Sequence, residues 1–405
     1  MKYFFTLLGL VLITSCKVAP KAADTSSNKV KAKTLADKFI IADGHVDLPY
    51  RLQVKNFRLE KAYTGIPVES KEGDFDFVRA RQGGLDAPFM SIYIPADRDA
   101  TEAKLLADTL IRMVEYIAKE KGNYFEVART PADVQRIAAA GKIALPMGME
   151  NGSPITSVED VALYRGKGIS YVTLAHSKDN DICDSSYDTT HTWKGLSPFG
   201  VEVVKAMNRA GIMIDVSHIS DDSFYAVIAN TKVPVIASHS SARYFTPGWE
   251  RNMSDDMLVK LKENGGVIMV NFGSTFLDAE VVKYKEAASA RIRKELEGKG
   301  LKGKELRDAL AAELAKDSRN YSDVKRVADH IDHIVKLAGI DHVGIGSDFD
   351  GVGDSLPTGL KDVSDYPNLL EELLNRGYSE GDIEKICSGN VFRVWNKVLA
   401  YAGGK

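Results

Sequence analysis

Residues 39–47 read FIIADGHVD, a β-branched apolar run that breaks off on an imidazole and a carboxylate, His45 and Asp47. In a strand, positions i and i+2 point to the same face, so these two side chains aim together. Seven further runs of the same kind follow, at 87–94, 143–150, 169–176, 212–218, 233–239, 266–272 and 342–348. Most are almost continuously apolar, as strands covered on both faces are, and helical stripes such as 102–121 lie between several of them. Eight such units close a parallel barrel, so the expected fold is α/β, a (β/α)8 TIM-type barrel.

Six of the eight runs stop on His, Asp or Glu: Asp47, Glu150, His176, His218, His239 and Asp348. In a barrel the C-terminal strand ends converge on one mouth, which would gather these groups in a ring. An open doubly wound sheet, the rival fold, would spread them along a line. Four of the chain's eight histidines (His45, His176, His218, His239) sit at such ends. His330 and His333 on one helical stretch and His342 at the start of a strand read as structural, and His191 in a loop is left undecided.

An acid such as Glu150, closing the apolar run IALPMGME, is costly to bury without a partner, and a cation is the simplest partner. Imidazoles and carboxylates suit Zn2+. Three histidines (His45, His218, His239) and three carboxylates (Asp47, Glu150, Asp348) are too many for one tetrahedral ion with an open position, and they suit a binuclear site at the mouth. Two Zn2+ would bring +4, and the three carboxylates with a bridging hydroxide −4. Ions ~3.5–4 Å apart would hold that hydroxide against a carbonyl or phosphoryl group.

The 405 residues are 44% hydrophobic and 27% charged, a globular balance that excludes disorder, collagen and a disulfide scaffold. Net charge is −3: +1 over residues 1–16, +4 over 17–38, and −8 over the rest. An acidic body argues against nucleic acid as a partner. Lys2 precedes an apolar run from Tyr3 to Ile13, too short to cross a bilayer. It ends ITSC, which resembles the bacterial lipobox and makes residues 1–16 a lipoprotein signal peptide with lipidation at Cys16. Residues 17–38, rich in Lys, Ala, Ser and Thr, are expected to be a flexible tether, leaving 39–405 as the catalytic barrel. The expected location is the bacterial cell envelope, with the body in the periplasm or at the cell surface. Lys17 after the lipidated cysteine favours the outer membrane. Residues 278–320, dense in Lys, Glu, Arg and Ala, read as an inserted helical pair turning at Gly298, Gly300 and Gly303, with no chemistry assigned to it. The sequence decides neither whether Cys183 and Cys387 meet nor whether the chain is a monomer or a homodimer.

The series DGHVDLP, GGLDAPFMSIYI, GLSPFGVEVVKAMNRAGIMIDVSH, SHSSAR, WERNMSDD, VADHIDHI, GSDFDG and GNVFRV, running from about Asp43 to Val394, resembles the membrane dipeptidase (renal dipeptidase) family of zinc metallopeptidases in the amidohydrolase superfamily. The resemblance implies hydrolysis of dipeptides with a free C-terminal carboxylate, L,L and L,D, at two zinc ions. His45 and Asp47 would hold the first ion, Glu150 would bridge, and His218 and His239 would hold the second. Asp348 would join the first ion and relay a proton to the leaving amine. His176 would steady the oxyanion, and Arg251 in WERN would grip the substrate carboxylate. Val46 stands where the family usually has Asn, and Asn151 where it commonly has Gly. Lys178 lies two positions past the end of the fourth run, where some amidohydrolases bridge with a carbamylated lysine, so Glu150 is the better bridge. Two rival readings remain: a barrel hydrolase of a cyclic amide, lactone or phosphoester, and a lipoprotein that binds peptide or metal without turnover.

Overall fold

Each of the eight apolar runs contributes a strand, and the strands close on one another. The computed structural model describes residues 1, 25–54 and 68–404. In chain order its strands are β1 (Ile41–Val46), β2 (Leu85–Tyr93), β3 (Phe125–Val127), β4 (Ile143–Leu145), β5 (Met147–Glu150), β6 (Ile169–Thr173), β7 (Met213–Asp215), β8 (Ile236–Ala237), β9 (Val267–Val270) and β10 (Val343–Ile345). A parallel barrel runs β1-β10-β9-β8-β7-β6-β5-β2 and returns to β1, which excludes the open sheet. The run at 143–150 is split at Pro146, which has no N–H for a ladder. Its first part, β4, pairs instead with β3 outside the barrel, and only β5 joins the ring.

One end of the lumen is filled. Ala42, Ala87, Phe89, Tyr171, Met213, Ile236, Val267 and Met269 pack together with Trp395 from the C-terminal helix Asn390–Gly403. Phe89 lies 5.3 Å from the Trp395 ring and 5.5 Å from Tyr171, between centroids. The surrounding helices bury their apolar stripes against the outer face of the strands, as an α/β barrel requires.

The structure corrects one expectation. Thr25–Lys38 is a helix, not a tether, because Ala32, Leu35 and Ala36 recur at helical spacing and are buried. The helix lies against the helix Tyr366–Asn375, and Lys31 and Lys38 both reach Glu380. The signal peptide, Cys16 and the first part of the expected tether lie outside the described residues, apart from Met1. Among the described residues no helix is long and apolar enough to cross a membrane. Cys183 and Cys387 are both buried and unpaired.

The expected insertion is a helical pair, Ala279–Gly298 and Gly303–Leu314, with Gly300 and Gly303 at positive φ in and just after the turn. Ala288, Ile292, Leu296, Leu306, Leu310 and Leu314 form a small core of its own. At its root Asp278 pairs with Arg326, and Leu277 O accepts from His330 Nε2 at 2.9 Å.

Candidate active site

Glu150 ends β5 in the middle of the mouth, and imidazoles from four other strand ends surround it. Its Oε1 lies 3.1 Å from His218 Nε2, 3.3 Å from His239 Nε2 and 3.5 Å from His176 Nε2. Its Oε2 lies 3.2 Å from His45 Nε2, which is also 3.4 Å from Asp47 Oδ2. Asp348 completes a third cluster with His45 and Asp47, and in each cluster the candidate donor atoms lie within 4.8 Å of one another. All six strand-end residues singled out in the sequence, together with His45, therefore meet in one place.

Two hydrogen-bond relays orient the imidazoles of His45 and His239. Tyr171 OH donates to Gly44 O, so it accepts from His45 Nδ1 at 2.9 Å and turns Nε2 toward Glu150. Ser238 Oγ donates to Asp215 Oδ2, so it accepts from His239 Nδ1 at 2.7 Å with the same result. Tyr171 reaches across the lumen because residue 148 is glycine: a Cβ there would lie 1.9 Å from the tyrosine ring. Asp43 accepts from the backbone N–H groups of His45 and Ser347 and from Tyr366 OH, tying β1 to the segment after β10 that carries Asp348. Asn271 Nδ2 donates to Asp348 Oδ2 at 2.8 Å.

Backbone strain collects here as well. His218, Asp348, Asp350 and Asn151 all have φ between 64° and 82°. Such left-handed non-glycine residues cost of order 1–3 kcal/mol each and persist where the surroundings hold them. Asparagine tolerates that conformation better than most non-glycine residues, which suits Asn151 to its place. Gly351 admits no side chain, since its Cβ would lie 2.2 Å from both Asp47 Oδ2 and Asp348 Oδ1.

Charge balance shows that the donor set fits metal ions. Burial alone would raise Glu150, but the neighbouring imidazoles of His45 and His176 overcome it and hold the carboxyl well below its usual range. Burial, then Arg251 for His218 and His45 for His239, holds those two imidazoles well below theirs. Burial pushes Asp348 up to about 8, with His45 opposing and Asp47 and Glu150 adding. His218 Nε2 and His239 Nε2 face each other at 2.8 Å, and His45 Nε2 and Asp47 Oδ1 are buried without a hydrogen-bond partner. Protein groups alone leave converging lone pairs and excess negative charge, and cations resolve both.

Above the cluster opens a cavity of about 660 Å3 lined by Asp47, Glu150, His176, His218 and Asp348, with Tyr50, Tyr93, Tyr187 and Phe276 among its walls. His176 packs between Tyr93 and His218, at 4.8 and 4.1 Å between centroids. Arg251 is not among the lining residues. It is 2% exposed, donates from Nη1 to Ser240 Oγ and from Nη2 to His239 O, and lies 5.1 Å from the Phe276 ring. Its Nε is buried without a partner.

Tyr171, Asp215, Ser238, Asn271 and Asp43 were not found from the sequence. Asp43 and Asp215 carried a usable signal, an acid inside an apolar strand, the same that marked Glu150. His330 is structural as expected, since its Nδ1 accepts from Ala242 N while Nε2 donates to Leu277 O. His333 bonds Asp255, His342 bonds Gly266 O, and His191 is exposed.

A parallel eight-stranded barrel with acids and imidazoles gathered at its C-terminal mouth defines a metallohydrolase of the amidohydrolase type. A model of the membrane dipeptidases, peptidase family M19, matches residues 29–404, and the chain belongs to that family. It is 33% identical over 401 residues to dipeptidase ataJ of Aspergillus terreus, covering 91% of this chain and 87% of that one. To a dipeptidase of Schizosaccharomyces pombe it is 32% identical over 380 residues, covering 88% and 80%. Among solved structures, the probable dipeptidase PvdM from Pseudomonas aeruginosa superposes with a TM-score of 0.78 at 26% identity, over 93% of this chain and all of that one. A family M19 metallopeptidase, dipeptidase AC, gives 0.72 at 25%, over 89% and 98%.

Proposed function

We propose that the protein is a zinc-dependent dipeptidase that cleaves dipeptides with a free C-terminal carboxylate, L,L and L,D. The observation that carries this is Glu150, whose two carboxylate oxygens divide between His45 on one side and His218 and His239 on the other. One carboxylate so placed suits two ions, the first held by His45, Asp47 and Asp348 and the second by His218 and His239. Bound zinc supplies Lewis acidity toward the scissile carbonyl and a water deprotonated near neutral pH. His176, at the cavity wall, is the donor for the oxyanion. Asp348, fixed through Asn271, takes a proton from the attacking water and gives it to the leaving amine. Arg251 receives the substrate carboxylate, for which its unpartnered Nε is a free donor.

The test is metal content per chain measured beside hydrolysis of Ala-Ala, Ala-D-Ala and their N-blocked and C-amidated forms. Two zinc ions and cleavage that requires the free carboxylate are expected. Equal turnover of the amidated forms would overturn the dipeptidase reading in favour of a broader amidohydrolase. The reading also places the protein in the bacterial cell envelope on a lipid at Cys16, supported by the pattern of residues 1–16. Cys16→Ser should move it from the membrane fraction to the soluble fraction.

A further inference from the structure

The helical insertion supplies one cation to the cavity wall, Lys285. Of the other charged residues that line the cavity, Asp47, Glu150 and Asp348 belong to the cluster below and Asp350 is paired with Arg51 at 2.9 Å. Asp354 accepts from Tyr321 OH at 2.6 Å. Lys285 Nζ donates to the backbone carbonyl of Asp354 at 2.7 Å and lies 5.0 Å from the Tyr321 ring. No ion pair joins it to an acid among the described residues. An ammonium has three donors, so this one is held in position by a neutral contact with donors to spare. It stands in the same cavity as the reacting groups but on a different element, and Arg251, already assigned to the main-chain carboxylate, is not needed there.

We propose that Lys285 selects dipeptides that carry an acidic side chain. This rests on the dipeptidase reading and adds to it a substrate class. The inserted helix thereby serves as a specificity wall: an Asp or Glu side chain reaching outward from the metal cluster meets the ammonium, and a Lys or Arg side chain is repelled.

The experiment compares kcat/KM for Ala-Glu, Ala-Gln and Ala-Lys, and for Glu-Ala, Gln-Ala and Lys-Ala, in the zinc-loaded wild type, Lys285→Gln and Lys285→Glu. In the wild type, Glu is expected to be favoured over its isostere Gln by about two- to fivefold in at least one position, the scale of one partly exposed charge pair. Lys285→Gln should bring that ratio near one, and Lys285→Glu should favour Lys over Gln. Lys283→Glu, on the same helix and paired with Glu280, should leave the ratios as they are. Ratios equal in the wild type, or unchanged by Lys285→Glu, would overturn the proposal while the dipeptidase reading stands. Failure of the wild type to cleave any dipeptide would overturn both.

Discussion

The barrel mouth and the inserted helical pair are built in opposite ways. At the mouth, buried acids and imidazoles are fixed by hydrogen-bond relays and by four left-handed non-glycine residues. The insertion has a thin core of small and aliphatic residues, and ion pairs one turn apart on its exposed face. Surface pairs of that kind contribute little stability. Reacting groups need positions defined to a fraction of an ångström, and the strand ends of a closed barrel supply them. A wall that only sorts substrates can stand on a more loosely attached element.

Breaking the centre of the mouth should have the largest effect. Glu150→Gln keeps the shape but removes the charge shared by both halves of the cluster. It is expected to lower kcat/KM by more than about a thousandfold and to reduce bound metal, with the fold retained by circular dichroism. Next comes Arg251→Ala, with a loss of about 2–5 kcal/mol in kcat/KM, the scale of a buried charge pair losing a partner. A tenfold loss or less would separate Arg251 from the carboxylate. Ser238→Ala leaves every candidate ligand in place and cuts only the relay to His239. A drop in metal affinity of about 10–100-fold by competition with a chelator would show that the relay, and not the ligands alone, defines the mouth.

The smallest effect concerns the root of the insertion. Burial lowers His330 to about 3, so the folded protein holds it neutral, with Ala242 N–H donating to Nδ1. The unfolded chain takes up the proton near pH 6.5. The stability contributed by this group is therefore complete above pH 6.5 and is lost as the pH falls toward 3, by about 1.4 kcal/mol per pH unit. His330→Gln should flatten the slope of unfolding free energy against pH between 6 and 4.5 by up to that amount. An unchanged slope would show that protonation there does not loosen the insertion's anchorage.

The mouth was largely legible in the sequence because a strand buried on both faces has no reason to end on an acid or imidazole except to present it. FIIADGHVD and IALPMGME show this plainly, and so do the ends at His218, His239 and Asp348. Local context hid the rest. Pro146 divided one run, and nothing in Lys17 to Lys38 outweighed its charge until Ala32, Leu35 and Ala36 met a partner helix. Tyr171 meets His45, and Ser238 meets Asp215, only through contacts far along the chain, which periodicity does not encode. The positive φ of His218 has no mark in its residue type, and Lys285 was one charge in a run that reads as solvated surface.

Trp395 and Phe89 fill the barrel from below, and the cavity opens above the cluster at the opposite end. On the proposed reading, substrate and both amino acids pass the rim that carries Lys285. A residue there that attracts an incoming anion also detains the outgoing one, which ties selectivity to the pace of product escape. Faster turnover and sharper discrimination would then pull that rim in opposite directions.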